Sequence, residues 1–185
     1  MSDSFTLAEL VAARAFHDIG GMAGTLTATL ELALQVGQDA GGNLIAAVET
    51  AADLSRRVRL LRAAWGPTEG RLDLAGLHDL ALGVPGAHRV RLDLSALASG
   101  TVFAPGLGRL LLNVAVLAAE CLPRGGTLAL AGIEDGLLAR LMGPRAAWPA
   151  GFAAVLADEA AAWAALTDAR RLTAPLLALL ARNLG

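Results

Sequence analysis

His17 is followed directly by Asp18 in a stretch whose apolar residues recur at helical spacing. A neutral imidazole is a good nucleophile near pH 7, and an adjacent carboxylate can orient a nearby donor. At 100° per residue, the face bearing His17 also bears Ala13, Gly20, Gly21, Gly24 and Ala28. Three glycines within five residues cost a helix roughly 1 kcal/mol each relative to alanine, so their retention calls for a reason. A nucleophile that must come into line with an acyl phosphate on a partner's aspartate supplies one. Small residues at i+3, i+4 and i+7 would clear the space for that partner. Two plainer readings stand beside it: a solvent-facing histidine without a role, and a glycine patch that packs helix against helix.

Arg56, Arg57, Arg59 and Arg62 crowd the second half of the next helical pattern. Part of this set should flank His17 across a hairpin, where positive charge would steer an acidic partner or stabilise a transferring phosphoryl group. Arg62 is the residue assigned that role, with Arg59 placed on the docking rim. A solvated helix face is the alternative for each of them.

Other chemistries find little support. His78 and His88 lie far from each other and from Cys121 and share no metal-ligand spacing. Cys121, at the end of a helical run, reads as a buried structural thiol. Asp158-Glu159 reads as a solvated pair, and neither a nucleophile elbow nor a Walker-type run is present. Asn113 sits where a kinase helix would supply a Mg²⁺ ligand, but the glycine-rich nucleotide loops are missing, since Gly132 to Gly136 reads as a hairpin turn. Productive ATP binding is therefore not expected.

The elements that must position these residues begin with a helix from about Thr6 to Gly37, on the order of 48 Å long. Ala12, Phe16, Ile19, Ala23, Leu26, Leu30 and Ala33 form its apolar stripe, with His17 about 150° away from the stripe's centre. A turn at Gln38-Asp39-Ala40-Gly41-Gly42 leads to a second helix with Leu44, Val48, Ala51, Leu54, Val58, Leu61 and Trp65 on one side, ended by Gly66-Pro67. Two helices alone cannot enclose such stripes. Pairing two antiparallel hairpins into a four-helix bundle can, which predicts a homodimer.

After residue 67 the pattern changes. Arg71 to Leu74 and Arg89 to Leu94 alternate as strands around a short helix near Leu77 to Leu82. Pro105-Gly106 opens an apolar helix to about Cys121. Thr127 to Ala131 and Gly136 to Met142 make a hairpin across Glu134-Asp135, and helices near Gly151 to Ala165 and Asp168 to Asn183 follow. The chain thus reads as α+β: a helical hairpin over 1–67 and a small mixed unit over 68–185. Trp65 is expected to cap the core beneath the hairpin, with Trp148 and Trp163 packing the second unit.

Composition agrees with a water-soluble partner protein. All 15 basic residues are arginine, and the formal net charge over 185 residues is −2, which argues against bulk attraction to nucleic acid or anionic membrane. The 55% hydrophobic content is largely alanine, and no apolar run reaches the roughly 18 to 20 residues of a membrane span. No signal peptide is visible, so a cytoplasmic location is expected.

Ala12-Ala13-Arg14-Ala15-Phe16-His17-Asp18-Ile19, in the first helix of a hairpin, resembles the H-box of histidine kinases and their relatives. Leu60 to Gly66, Leu111 to Val114 running to Leu122 to Leu128, and Leu172 to Pro175 leading into Leu179 to Ala181 resemble the ChpT phosphotransferases. The resemblance spans nearly the whole chain. It implies a second unit similar to a degenerate histidine-kinase ATPase domain, an α/β sandwich without ATP use. It also implies His17 as the phosphorylated residue, Asp18 as its neighbour in the motif, and relay between a hybrid kinase's receiver and downstream response regulators. The implied partner receivers would bring the Mg²⁺. The competing expectation is a non-catalytic dimeric scaffold that keeps this shape and binds a regulator without carrying phosphate.

Overall fold

The computed structural model describes residues 3–36, 41–67, 70–134 and 136–184. Helix α1 runs Asp3–Val36 and α2 runs Gly41–Trp65. They pack side by side as an antiparallel hairpin. Of the expected turn, residues 38–40 lie outside the described residues, and Gly41 and Gly42 belong to α2.

The inner face of α1 differs from the apolar stripe. Ala33 of that stripe is buried, Ile19, Ala23 and Leu26 are half-buried, and Ala12, Phe16 and Leu30 are exposed. The direction turned inward is instead that of Val11, Arg14, Asp18 and Met22, roughly a quarter-turn away. The physical reason is that the lower half of α1 packs on the second unit as well as on α2, and polar pairs make that contact. Leu7, Leu10 and Val11 join a cluster with Ala162, Leu172, Leu176 and Leu179.

Beyond the hairpin come β1 (Leu72–Asp73), α3 (Leu74–Ala81), a 3₁₀ turn at Ala87–Arg89, β2 (Val90–Ala96) and β3 (Val102–Phe103). Asp73 caps α3, its side chain accepting from the amide of Gly76 at 2.7 Å. Helix α4 (Pro105–Cys121) starts with proline in its first turn, where no amide donor is lost, and is buried almost all round. Strands β4 (Gly126–Ile133) and β5 (Gly136–Met142) follow. The three-stranded sheet has order β2-β4-β5, with β2 and β4 parallel across the α4 crossover and β4 and β5 antiparallel from Thr127↔Met142 to Ile133↔Gly136. Asp135, within the predicted turn, lies outside the described residues. The very short β1 and β3 pair separately.

Leu112, Ala115, Val116 and Ala119 on one side of α4 meet Leu128 and Leu130 of β4, and the same cluster takes in Leu60 and Ala64 from the end of α2. The foot of the hairpin is therefore part of the second unit's core. Leu60 and Ala64 are fully enclosed, and burying a leucine side chain contributes about 2 kcal/mol. Gly83 holds the loop after α3 against α2: a Cβ there would lie 2.5 Å from the carbonyl oxygen of Arg56. Gly125 turns the chain into β4 with φ +79°, and a Cβ there would meet the Arg89 carbonyl at 2.8 Å.

The helix expected near Gly151 to Ala165 is two short ones, α5 (Phe152–Ala157) and α6 (Glu159–Ala164). Asp158 causes the break: it adopts an extended conformation, and its carboxylate accepts from the amide of Ala160 at 3.0 Å as the cap of α6. The last helix is likewise divided into a 3₁₀ turn at Ala169–Arg171 and α7 (Thr173–Arg182). No helix among the described residues is long and apolar enough to cross a membrane.

Candidate functional site

His17 lies midway along α1 with its side chain 74% exposed. Its Nδ1 is 3.4 Å from Asp18 Oδ1, and Nε2 has no hydrogen bond among the described residues. Asp18 points the other way around the helix, into the crease between α1, α2 and the second unit, and is largely buried. Arg14, one turn earlier on α1, donates from Nε to both carboxylate oxygens at 3.2 and 3.3 Å. Arg57 on α2 brings Nη1 to 3.6 Å from Asp18 Oδ2. A carboxylate beside the histidine is thus gripped by two cations from two helices.

Burial dominates the state of Arg57 and lowers its pKa, opposed by the Asp18 carboxylate and reinforced by the nearby positive charge of Arg14. Its Nε is enclosed with no hydrogen-bond partner among the described residues. For Arg14, burial pulls downward, but the carboxylates of Asp18 and Glu120 outweigh it and leave the pKa raised.

Gly20, Gly21 and Gly24 face open space: a Cβ built on any of them meets nothing within 4 Å. Ala13 is also exposed. Among the described residues nothing lies against these three glycines, so within that part of the chain they serve no helix-to-helix contact. The side of α1 that presents the imidazole is low and unobstructed.

Arg59 and Arg62 are placed elsewhere. Arg59 pairs with Asp79 of α3. Arg62 is exposed, and both line a cavity of about 460 Å³ with Arg71 and Arg109, to which no residue of α1 contributes. Helical geometry explains the separation, because Arg59 and Arg62 point roughly 140–160° away from Arg57 around α2. Arg57 is the member of the arginine run that reaches the His17–Asp18 pair.

The α4 asparagine is committed to structure. Asn113 is fully buried, its Oδ1 accepting from Trp65 Nε1 at 2.9 Å and its Nδ2 donating to the carbonyls of Ala64 at 3.1 Å and Arg109 at 2.9 Å. It fastens the end of α2 to α4. Cys121 is buried, and burial pushes its thiol up to about 11, with Glu120 adding to the effect. His78 and His88 are exposed. No group of three or more potential metal ligands gathers among the described residues.

The family model for the histidine phosphotransferase C-terminal domain matches residues 76–185. The chain belongs to the histidine phosphotransferase family. The matched stretch starts within α3 and covers all of the second unit that follows, leaving the hairpin with His17 outside it. A solved structure described as a bacterial phosphotransferase is similar along the whole length, hairpin included: 20% identity, TM-score 0.77, covering 99% of this chain and 88% of that one. Among curated proteins, none matches significantly.

For this phosphotransferase, the sequence resemblance and the fold agree: a long helical hairpin joined to a small unit of mixed helix and sheet. Sequence reasoning missed Glu120 and Thr173, which reach the site only through Arg14. Glu120 Oε1 accepts from Arg14 Nη2 and from Thr173 Oγ1, each at 2.9 Å. Nothing local marks them, since Glu120 is 106 residues from Arg14.

Proposed function

We propose that this histidine phosphotransferase relays phosphoryl groups between receiver domains through a phosphohistidine at His17, without using ATP. The observation that carries the reading is the exposed imidazole on a bare glycine face, with a carboxylate beside its Nδ1. In the neutral ring with Nδ1 protonated, Asp18 accepts that proton's hydrogen bond and the Nε2 lone pair faces the partner. Nε2 attacks phosphorus, the bond from phosphorus to the donor aspartate's carboxyl oxygen breaks, and the carboxylate leaves with the electron pair. The product is an Nε2-phosphoryl imidazolium, whose new positive charge sits next to Asp18. A second receiver's aspartate reverses the step. Little covalent work falls to the protein beyond positioning and charge stabilisation. Mg²⁺ enters with the receiver.

The face formed by Ala13, Gly20, Gly21 and Gly24 is the docking surface for a receiver, and Arg59 and Arg62 contribute positive charge farther along α2. The partners are a hybrid kinase's receiver and downstream response regulators. Asn113 supports ATP independence, because its amide is fully used inside the core.

The phosphotransferase acts as a homodimer. Phe16, Leu30 and Leu34 on α1 and Leu44, Ile45 and Val48 on α2 are exposed in the single chain. An apolar stripe this long is more than a monomer surface ordinarily carries, and pairing two hairpins into a four-helix bundle would cover it.

The test mixes the protein with a receiver pre-phosphorylated by its own kinase and, separately, with labelled ATP. Acid-labile label should pass from the receiver to wild type and not to His17→Ala, with none gained from ATP. Label from ATP alone would make it a kinase. No label from a panel of receivers, with binding intact, would make it a scaffold.

A further inference from the structure

The hydrogen bonds around Arg14 extend the site well beyond the hairpin. Arg14 uses Nε for Asp18, Nη2 for Glu120 Oε1 at 2.9 Å, and Nη1 for the carbonyls of Ala169 and Arg170, both at 3.4 Å. All three nitrogens of a planar, rigid fork are therefore engaged at once, and the guanidinium cannot turn in its own plane. Glu120 belongs to the last turn of α4, and Thr173 is the first residue of α7. Thr173 is buried, and its hydroxyl donates to the same Glu120 oxygen that Arg14 uses, fixing Oε1 from a second element. Three segments of the second unit thus converge on one side chain of α1, placed a single turn before Asp18.

The convergence matters because Asp18 Oδ1 is shared. It accepts from Arg14 Nε at 3.2 Å and lies 3.4 Å from His17 Nδ1. Among the described residues Asp18 is the group that hydrogen-bonds the His17 ring and so can set its angle and tautomer. If the fork moved, only Arg57, 3.6 Å from Oδ2, would still hold the carboxylate, and Oδ1, the oxygen beside the ring, would lose its fixed position.

We propose that Glu120 and Thr173 are positioning residues for phosphotransfer: they lock Arg14, Arg14 locks Asp18, and Asp18 holds the His17 ring with Nδ1 protonated and Nε2 presented. This rests on His17 being the phosphoacceptor. The second unit then does more than complete the fold, since it sets the orientation of a nucleophile carried by another element.

The experiment measures two signals on wild type, Glu120→Gln, Thr173→Val, Arg14→Ala and the Arg14→Ala/Glu120→Gln double variant. The first is the ¹⁵N chemical shifts of the His17 ring, which report the tautomer without any partner. The second is single-turnover transfer from a phosphorylated receiver, resolved into the rate at saturation and the half-saturating receiver concentration. Glu120→Gln keeps shape and acceptor and loses only charge, so folding should survive. Thr173→Val gives an independent route if it does not.

In wild type one tautomer should dominate. In Glu120→Gln and Thr173→Val the ring shifts should move toward the average of both tautomers. The saturating rate should fall about tenfold at unchanged half-saturation, because misplacing a reacting group slows chemistry more than docking. The double variant should be no slower than Arg14→Ala alone, since both substitutions cut one chain of contacts. Wild-type ring shifts in both single variants would overturn the proposal, as would losses that multiply in the double variant or a change confined to half-saturation. If no receiver phosphorylates His17, the relay fails on the transfer signal while the ring shifts still report the Arg14 linkage.

Discussion

Across the hairpin, Arg57 Nη1 stands 3.6 Å from Asp18 Oδ2, and the Arg57 side chain is only 9% exposed. One carboxylate answers two guanidinium groups, and Arg57 Nε still lacks a partner among the described residues. A buried cation held on these terms serves stability poorly, because its desolvation offsets most of what the pairing returns.

Asp18→Asn should destabilise the protein by about 3 kcal/mol in urea unfolding, since it strips enclosed Arg57 of its paired carboxylate and leaves Arg14 with Glu120 alone. Adding Arg57→Met should recover much of that loss without restoring phosphotransfer. If the double variant is as unstable as Asp18→Asn, the Arg57 charge is not what the carboxylate stabilises.

The glycine patch makes the opposite kind of prediction. Gly20→Ala, Gly21→Ala and Gly24→Ala each place a methyl group in open space. Each should raise stability by roughly 0.5–1 kcal/mol through better helix propensity. The triple variant should melt higher yet bind a receiver more weakly. A hotter-melting variant that binds normally would remove the glycines from the docking surface.

Leu34→Arg and Val48→Arg alter exposed apolar residues near the end of the hairpin remote from the second unit. Sedimentation equilibrium should show each shifting a dimer toward monomer, with secondary structure by circular dichroism intact. A dimer that tolerates both charges would place the contact on another surface.

Cys121 gives a linkage test with few competitors, because the sequence contains neither lysine nor tyrosine. Burial raises its thiol from 9.0 to about 11, so between these values the unfolded chain has lost the proton that the folded chain keeps. Stability is therefore unaffected by this group well below pH 9 and falls as pH rises toward 11, by about 3 kcal/mol in total. Cys121→Ala should flatten that part of the profile in denaturant unfolding measured at several pH values. In the folded protein, iodoacetamide should react with the thiol far more slowly than after unfolding.

The long hairpin was legible because its apolar residues repeat over many turns, and α4 because Pro105 marks the start of a strongly apolar stretch. Strands β4 and β5 announced themselves by alternation, with Leu128 and Leu130 inward and Arg140 outward. The inner face of α1 was not legible. Periodicity identifies an apolar stripe but not which neighbour it meets, and here the charged direction of Arg14 and Asp18 faces the second unit while Phe16 faces out. The division at Asp158 was hidden by alanines on both sides, although aspartate followed by glutamate is a legitimate helix start. Of the candidate site, His17 and the glycines are visible in the sequence as one helix face, and Asp18 only as the residue that follows. Choosing Arg57 from four arginines needed the hairpin register: Asp18 and Arg57 lie similar numbers of turns from the tip, whereas Arg62 lies nearer the foot. Glu120 and Thr173 required the tertiary fold itself.

The embedding of Leu60 and Ala64 at the foot of the hairpin has a mechanical corollary. The pair of helices is a beam clamped at one end, and the deflection of such a beam grows with distance from the clamp. From His17 to Val36 is nineteen residues, or about 28 Å of helix leading away toward the free tip. The Arg14–Glu120 bond pins α1 one turn before the histidine, close to where the beam leaves its support. A given bend of the beam therefore displaces the imidazole of His17 less than it displaces Leu34 or Val36, which lie farther from the clamp.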